Sequence, residues 1–218
     1  MAAPVETYRG SVQTWECDEV GHQNVQFYVA RADDAAHALA VKLGLGPRAQ
    51  TQGRLHIVPV HMHVRFLREL RVGDLMHATS HVLATDHSTL DACHLLYNTS
   101  SDEIAATFVT RHGLYTEGGE PVAWNEAASL SPSDLKAPLP PEATPRSIDL
   151  EAAIPALTLG DARAKPEIFM PIATERVRPA HCDEHGRFLP QFVMGLFSNG
   201  AGHLWDQIGM GREALRVQ

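Results

Sequence analysis

Trp15-Glu16-Cys17-Asp18-Glu19-Val20-Gly21-His22-Gln23-Asn24 is the stretch on which the reading of this chain turns, because part of it occurs twice. Cys17-Asp18-Glu19-Val20-Gly21 returns as Cys182-Asp183-Glu184-His185-Gly186, a shift of 165 residues from Asp18 to Asp183. The same shift carries Val12 onto Val177, Gln26 onto Gln191, Phe27 onto Phe192 and Leu39 onto Leu204. It also carries Leu43-Gly44-Leu45-Gly46 onto Ile208-Gly209-Met210-Gly211, without a gap. Matches spread from Val12 to Gly46 at one register are what a duplicated structural unit leaves behind.

On either side of the first copy the pattern resolves into elements. Thr7 to Trp15 alternates as a strand does, and Glu16 to Gln23 is a polar, glycine-containing loop. A helix is expected next, with Asn24 as N-cap and apolar Val25, Phe27, Tyr28, Ala32, Ala35, Ala36, Leu39 and Leu43, closed by Gly44 and Pro47. Its alanines keep it thin enough for a sheet to wrap closely around it. Extended stretches follow at 54–70, 75–83, 89–97 and 104–115, with turns at Val72-Gly73-Asp74, Asp86-His87-Ser88 and 98–102. The order strand, buried helix, four strands predicts an α+β unit with one antiparallel sheet and one long central helix.

The expected organisation is a complete domain over 1–117, a proline-rich linker over 118–165 and a partial second domain over 166–218. Pro132, Pro138, Pro140, Pro141, Pro145 and Pro155 interrupt the linker, although 147–157 could hold a short helix. Gln218 corresponds to Gly53, so the second copy is expected to consist of a first strand and helix only, cut short by truncation of the product.

Composition excludes several classes. A chain of 218 residues with 44% hydrophobic and 20% charged residues is globular rather than disordered. A formal charge of -8 with no basic cluster argues against a nucleic-acid partner. Cys17, Cys93 and Cys182 are odd in number and form no CxxC pair, so neither a disulfide framework nor a zinc site is indicated. No segment is apolar enough to span a membrane and the N-terminus lacks a signal pattern, which predicts a cytoplasmic protein.

Asp18, Gly21, His22, Asn24 and Tyr28, in that spacing, resemble the opening motif of the hotdog-fold acyl-CoA thioesterase family of the 4-hydroxybenzoyl-CoA thioesterase-like type. The passage from Phe66-Leu67 to Val72-Gly73-Asp74-Leu75 is similar to that family's step from one strand to the next. With the duplication, the resemblance is to a double hotdog with an incomplete second copy. It implies a sheet curled around the central helix, two such units side by side, and acyl-CoA thioesters cleaved between them, with coenzyme A as part of the substrate and no other cofactor. A homodimer or higher homo-oligomer is expected.

On this resemblance Asp18 is the base or nucleophile, His22 a polarising or positioning group, and Asn24 orients water or substrate. Gly21 is the tight turn at which a thioester carbonyl approaches backbone amides, and Tyr28 and Gly186 contact substrate. Asp183 aligns with Asp18, and Gln191 offers a donor at the second helix start, so a composite site of Asp18, Asn24 and Gln191 is conceivable. The second copy departs from the motif, having Arg187 and Pro190 near the positions of the His and Asn. The plain alternative is that both aspartates bond loop amides and that Asn24 is a mere cap.

A non-catalytic acyl-CoA binding or sensing module is the second functional reading. A hotdog hydratase is the third, weakened because Glu-Val-Gly separates Asp18 from His22. His61 and His63 share a strand face, yet nothing completes a ligand set, so no metal is expected. Asp86-His87-Ser88 cannot form a triad from adjacent residues and reads as a turn. Gly44-Leu45-Gly46 recurs at the second helix end and reads as helix termination rather than a dinucleotide loop. Cys17 and Cys182 have no evident base and read as packing residues.

Overall fold

The computed structural model describes residues 3–146, 158–166 and 169–210. The chain divides into two compact units, Met1–Arg146 and Ser147–Gln218. The first begins with strand β1 (Val5–Ser11), shorter than the alternation predicts. Instead of continuing to Trp15, the chain turns through a 3-10 helix at Thr14–Glu16. The cause is a reciprocal box: the Glu16 carboxylate accepts the Gln13 N–H at 3.2 Å while the Gln13 carbonyl accepts the Glu16 N–H at 3.0 Å.

Helix α1 (Val25–Lys42) is capped by Asn24, whose side-chain oxygen accepts the Gln26 N–H at 3.0 Å. Lys42 sits in its last turn, where a cation complements the helix dipole. Gly44, at φ +83°, ends it in the left-handed region, and any side chain there would collide with Ser129. A short helix, α2 (Pro47–Gly53), follows with Pro47 in its first turn.

Strands β2 (Leu55–Phe66), β3 (Leu75–Thr85), β4 (Thr89–Asn98) and β5 (Glu103–Thr116) complete an antiparallel five-stranded sheet in the order β1-β3-β4-β5-β2. Helix α1 packs on β1, β3 and β4. This is the α+β hotdog arrangement. The interior forms two clusters along the helix. Tyr28, Ala32 and Ala35 meet Met76, Leu96 and Phe108 towards its N-terminal half. Leu39, Ala40 and Leu43 meet Val82, Leu90, Leu114 and Trp124 towards its C-terminal half. Fully burying side chains of this size is worth about 1.5–3 kcal/mol each, which fixes the helix on the sheet.

A polar chain crosses this sheet inside the protein. Thr7 Oγ1 lies 2.6 Å from Ser80 Oγ, which lies 2.6 Å from His94 Nδ1, and His94 Nε2 lies 3.0 Å from Thr110 Oγ1. Burial, with smaller contributions from His112 and His81, holds His94 down to about 3. It is therefore a neutral imidazole that bonds at both nitrogens.

After β5 the chain packs back onto this unit. Helix α3 (Trp124–Ala127) buries Trp124, whose indole N–H donates to the Ser88 carbonyl at 3.0 Å. Further on, the Arg65 guanidinium donates to the carbonyls of Pro141 and Thr144 at 3.3 and 3.0 Å, and Ala143 is wholly buried against Cys93 and Leu95.

In the second unit, helix α4 (Leu159–Ala164) is closed by a Thr158–Asp161 capping box, and helix α5 (Pro190–Gln207) follows a 3-10 turn at Pro179–His181. The short helix expected over 147–157 lies outside the described residues. No strand forms in 171–178. In the first unit β1 is held by its pairing with β3, and no described residue pairs with 171–178 in that way.

The approaches to α1 and α5 share one local conformation. Asp18 N–H donates to the His22 carbonyl at 2.9 Å, as Asp183 N–H does to that of Arg187 at 2.9 Å. Gly21 and Gly186 have φ of +83° and +76°, and both helices are 18 residues long. Gly44 and Gly209, at +83° and +77°, end them in the same way.

Candidate active site

The loop between β1 and α1 is tied down before it does anything else. Cys17 and Gln23 form an antiparallel bridge, Asn24 N–H donates to the Glu16 carbonyl at 2.8 Å, and Gln23 N–H donates to that of Leu70 at 2.7 Å. Glu16 is buried and ion-paired with Arg31 of α1, and Gln23 donates to it at 3.3 Å. The Arg31 guanidinium in turn lies 5.2 Å from the centre of the Tyr8 ring. This network of Glu16, Gln23 and Arg31 fixes the loop to the helix it precedes. It was not legible in the sequence, because its spacings follow no helix or strand period.

On that frame Asp18 presents its carboxylate. Oδ1 accepts the backbone N–H groups of Val20 at 3.0 Å and His22 at 3.1 Å. Oδ2 makes no hydrogen bond to the protein among the described residues. Asp18, His22, Val25 and Tyr28 line a cleft of about 300 Å³ together with Phe66 and Glu69. His22 Nε2 lies 3.1 Å from Glu69 Oε2, and a backbone bridge pairs His22 with Arg71.

Tyr28 is half structural. Its hydroxyl accepts the Leu70 N–H at 2.8 Å and donates to the Arg68 carbonyl at 3.3 Å, and burial pushes it up to about 12. The phenol therefore stays protonated. Its ring meets Phe66 edge-on at 5.4 Å, which brings the end of β2 to the motif.

The structure thus brings Asp18, His22 and Tyr28 to one cleft, with Gly21 at the turn between them and Asn24 at the helix cap. Glu69 and Phe66 join them and were not picked out from sequence; the Phe66 to Asp74 similarity pointed to their strand without assigning them a place. Cys17 is a poor nucleophile, since burial and the nearby Asp18 and Glu16 carboxylates all push its thiol up. Among the described residues no group of three or more His, Cys, Asp or Glu could hold a metal ion. His63 is buried and His61 exposed on β2.

Asp183, Gly186 and Gln191 occupy the matching turn and first helical turn of the second unit. Here Asp183 Oδ1 accepts N–H groups from His185 at 2.9 Å and Arg187 at 2.8 Å, and Oδ2 is taken by the Arg187 guanidinium at 2.6 Å. Burial alone would raise this carboxyl. The hydrogen bonds and charge of Arg187 and the His185 N–H outweigh it, so the carboxyl sits below its usual range. Where the first copy has Glu16, Gln23 and Arg31, the second has His181, Phe188 and Leu196, and an aromatic stack replaces the ion pair, with His181 4.5 Å from Phe192.

The family model of the thioesterase-like superfamily matches residues 12–146, well over half of the chain. The chain belongs to the thioesterase-like superfamily. Solved structures of the same fold span the first unit. A hypothetical protein of Staphylococcus aureus, solved in complex with CoA, is 17% identical over 71% of this chain and 98% of its own, with a TM-score of 0.59. A protein of Pseudomonas putida assigned as a thioesterase is 23% identical over 70% of this chain and 100% of its own, at 0.56. A protein of Lactobacillus plantarum assigned as an oleoyl thioesterase is 14% identical over 91% of this chain and 72% of its own, at 0.64. At these identities the likeness speaks for the fold. No curated protein sequence matches the chain significantly. The stretch from Asp18 to Tyr28 lies wholly inside the matched segment.

Proposed function

We propose that this protein is an acyl-CoA thioesterase whose catalytic carboxylate is Asp18. One observation carries the reading: Asp18 Oδ1 is pinned by two backbone N–H groups, while Oδ2 is left without a protein partner among the described residues beside an open cleft. A carboxylate so held can deprotonate a water that attacks the thioester carbon. The positive end of α1, entered at Val25, suits the oxyanion that then develops. Collapse of the tetrahedral adduct breaks the carbon–sulfur bond. The departing thiol has an ordinary pKa of about 8.5, so it leaves without strong acid assistance. His22 positions water or the leaving group, Asn24 fixes the helix start and water, Gly21 lets the thioester approach the turn, and Tyr28 walls the substrate.

Membership in the thioesterase-like superfamily supports the hydrolase class, and the CoA bound to the S. aureus protein supports coenzyme A as the carrier. The reading requires no other cofactor. No described helix is long and apolar enough to cross a membrane. The acidic charge of -8 supports a protein without a nucleic-acid partner, and a cytoplasmic location is proposed with it.

A second reading applies to the second motif. Asp183, Gly186 and Gln191 supply its carboxylate, turn and helix-start donor, and the shared conformation supports an origin by duplication. With both Asp183 oxygens engaged, this copy is proposed to bind or support rather than to cleave. A homodimer is proposed because, among the described residues, nothing pairs with the outer edge of β2. Light scattering that gives a clean monomer would contradict it.

The test is free-thiol release from a panel of acyl-CoAs, short to long and aromatic, with calorimetric binding measured alongside. Release by the parent, with binding but no release in Asp18→Asn, supports the thioesterase. Binding without release in folded parent protein supports the acyl-CoA binding module instead.

A further inference from the structure

The outer face of the sheet, on the side away from α1, is covered by the chain's own return. Residues 132–146 cross it as a strap, with Pro132–Leu135 against β3 and Pro141–Ala143 against β5. A parallel bridge joins Lys136 to Val82, and the Ala137 N–H donates to the Val82 carbonyl at 3.0 Å. Beneath the strap Cys93, Leu95 and Ala143 form an apolar cluster in which Cys93 and Ala143 are wholly buried.

Two buried histidines lie where this strap is fastened. His81 of β3 is 3% exposed; its Nε2–H donates to the Pro138 carbonyl of the strap at 3.1 Å, while its Nδ1 is buried with no hydrogen-bond partner among the described residues. His63 of β2 also has a buried, unpartnered Nδ1. It stands two residues from Arg65, which holds the strap carbonyls of Pro141 and Thr144.

A second proton on His81 has only Nδ1 to occupy, where it would be a buried cation with an unmet donor. The ionisable groups around it are committed, buried or exposed. Cys93 faces it from β4 with a thiol that burial pushes up to about 12, and Asp91, two residues along β4, is paired with Arg111 at 2.7 Å. Asp134, Lys136 and Glu142 of the strap are exposed. His63 faces uncharged Val109 on β5, and its neighbours on β2, His61 and Arg65, both oppose its protonation. Burial is the main cause that holds His81 and His63 below their ordinary range.

We propose that the 132–146 strap is an acid-operated cover: protonation of His81, aided by that of His63, lifts it off the outer sheet face and bares Cys93 and Leu95 while the rest of the first unit stays folded. The open form binds the protons that the closed form resists. The closed form is therefore favoured above pH 6.5, the ordinary imidazole value, and loses ground below it by up to about tenfold per histidine per pH unit. The device is separate from the Asp18 cleft and does not depend on thioester chemistry.

Cys93 reports the opening. The full chain is reacted with 4,4′-dithiodipyridine, a thiol reagent that works in acid, at pH 7.5 and 5.0. Modification of Cys93 is read by peptide mass and divided by the rate of the same thiol in the denatured chain at each pH, with circular dichroism to verify the fold. The normalised rate should rise at least about tenfold from pH 7.5 to 5.0 in the parent. It should stay within about twofold in His81→Gln, whose amide can still donate to Pro138 but does not titrate. That variant keeps His94 and His112, so a rise that persists in it would come from general unfolding and would overturn the proposal. Cys93 equally protected at both pH values in the parent would also overturn it. Ala143→Arg, which wedges the strap open, should expose Cys93 already at pH 7.5 and carries the test if His81→Gln does not fold; continued protection there would mean that the strap is not the cover.

Discussion

The loop that leads into α1 and the loop that leads into α5 follow the same path, 165 residues apart from Asp18 to Asp183. In each, one aspartate oxygen takes two backbone N–H groups, a glycine turns through positive φ, and an 18-residue helix begins. The side chains then part company. His22 leans towards Glu69 and leaves Asp18 Oδ2 open, whereas Arg187 closes on Asp183 Oδ2. Beneath the first loop lies the buried Glu16–Arg31 ion pair; beneath the second, an aromatic stack. An aspartate and a glycine are enough to specify the turn, and the residue four positions after the aspartate decides whether the carboxylate is available for chemistry.

Acid should separate the two regions most broadly. His94 and His112 are held near 3 and 4 in the folded first unit, against about 6.5 when unfolded. Below pH 6.5 the unfolded chain binds more protons, so stability falls with pH by up to about 1.4 kcal/mol per histidine per pH unit until their folded values are reached. The Asp183 loop behaves differently. Its carboxyl is lowered from 3.8, so its contribution is present above that value and lost only as pH falls below it. Chemical denaturation from pH 7 to 4, read by Trp124 fluorescence in a variant carrying Trp15→Phe and Trp205→Phe, should show the first unit weakening throughout; a flat profile would mean that the histidines are solvated.

The two helix ends offer a smaller contrast. Gly44 and Gly209 have nearly the same backbone, but a side chain at Gly44 meets Ser129 while one at Gly209 meets nothing within 4 Å. Gly209→Ala should cost about 1 kcal/mol, the left-handed penalty alone. Gly44→Ala should cost clearly more, about 2–3 kcal/mol, as measured by urea midpoints. Equal costs would place the strain in the backbone only. The mildest change is His22→Arg, which gives the first loop the second's guanidinium. Thiol release should fall about tenfold, or about 1.4 kcal/mol, without loss of stability, and an unchanged rate would mean that Asp18 is not captured as Asp183 is.

Much of this was written in the chain. The alanine-rich apolar pattern of α1 located the helix, and the turn residues that punctuate the extended stretches located β3, β4 and β5; the central residues of β4 and β5 are buried on both faces and so show no clean alternation. The existence of β1 was legible but its bounds were not: it begins at Val5 rather than Thr7, and a box from Glu16 to Gln13 ends the alternation at Ser11. Helix α2 is polar and short, with no apolar face to betray it. Trp124 and Ala143 pack through contacts far apart in sequence, which no local pattern records. At the site, motif spacing pointed to Asp18, His22 and Tyr28, and the cleft contains all three. Glu69, Phe66 and the Glu16–Gln23–Arg31 network reach it only through the register of β2 and the facing of α1. Whether Asp183 would be free or tied depended on the direction of one arginine side chain.

The central claim is that chemistry resides at the carboxylate with an open oxygen. The most direct measurement compares thiol release by the parent, Asp18→Asn and Asp183→Asn on the best acyl-CoA of the panel, at matched folded concentration. A drop of about 100- to 10,000-fold in Asp18→Asn, beside a rate within about twofold of the parent in Asp183→Asn, is the predicted result. Equal losses in both variants, or none in Asp18→Asn, would contradict it.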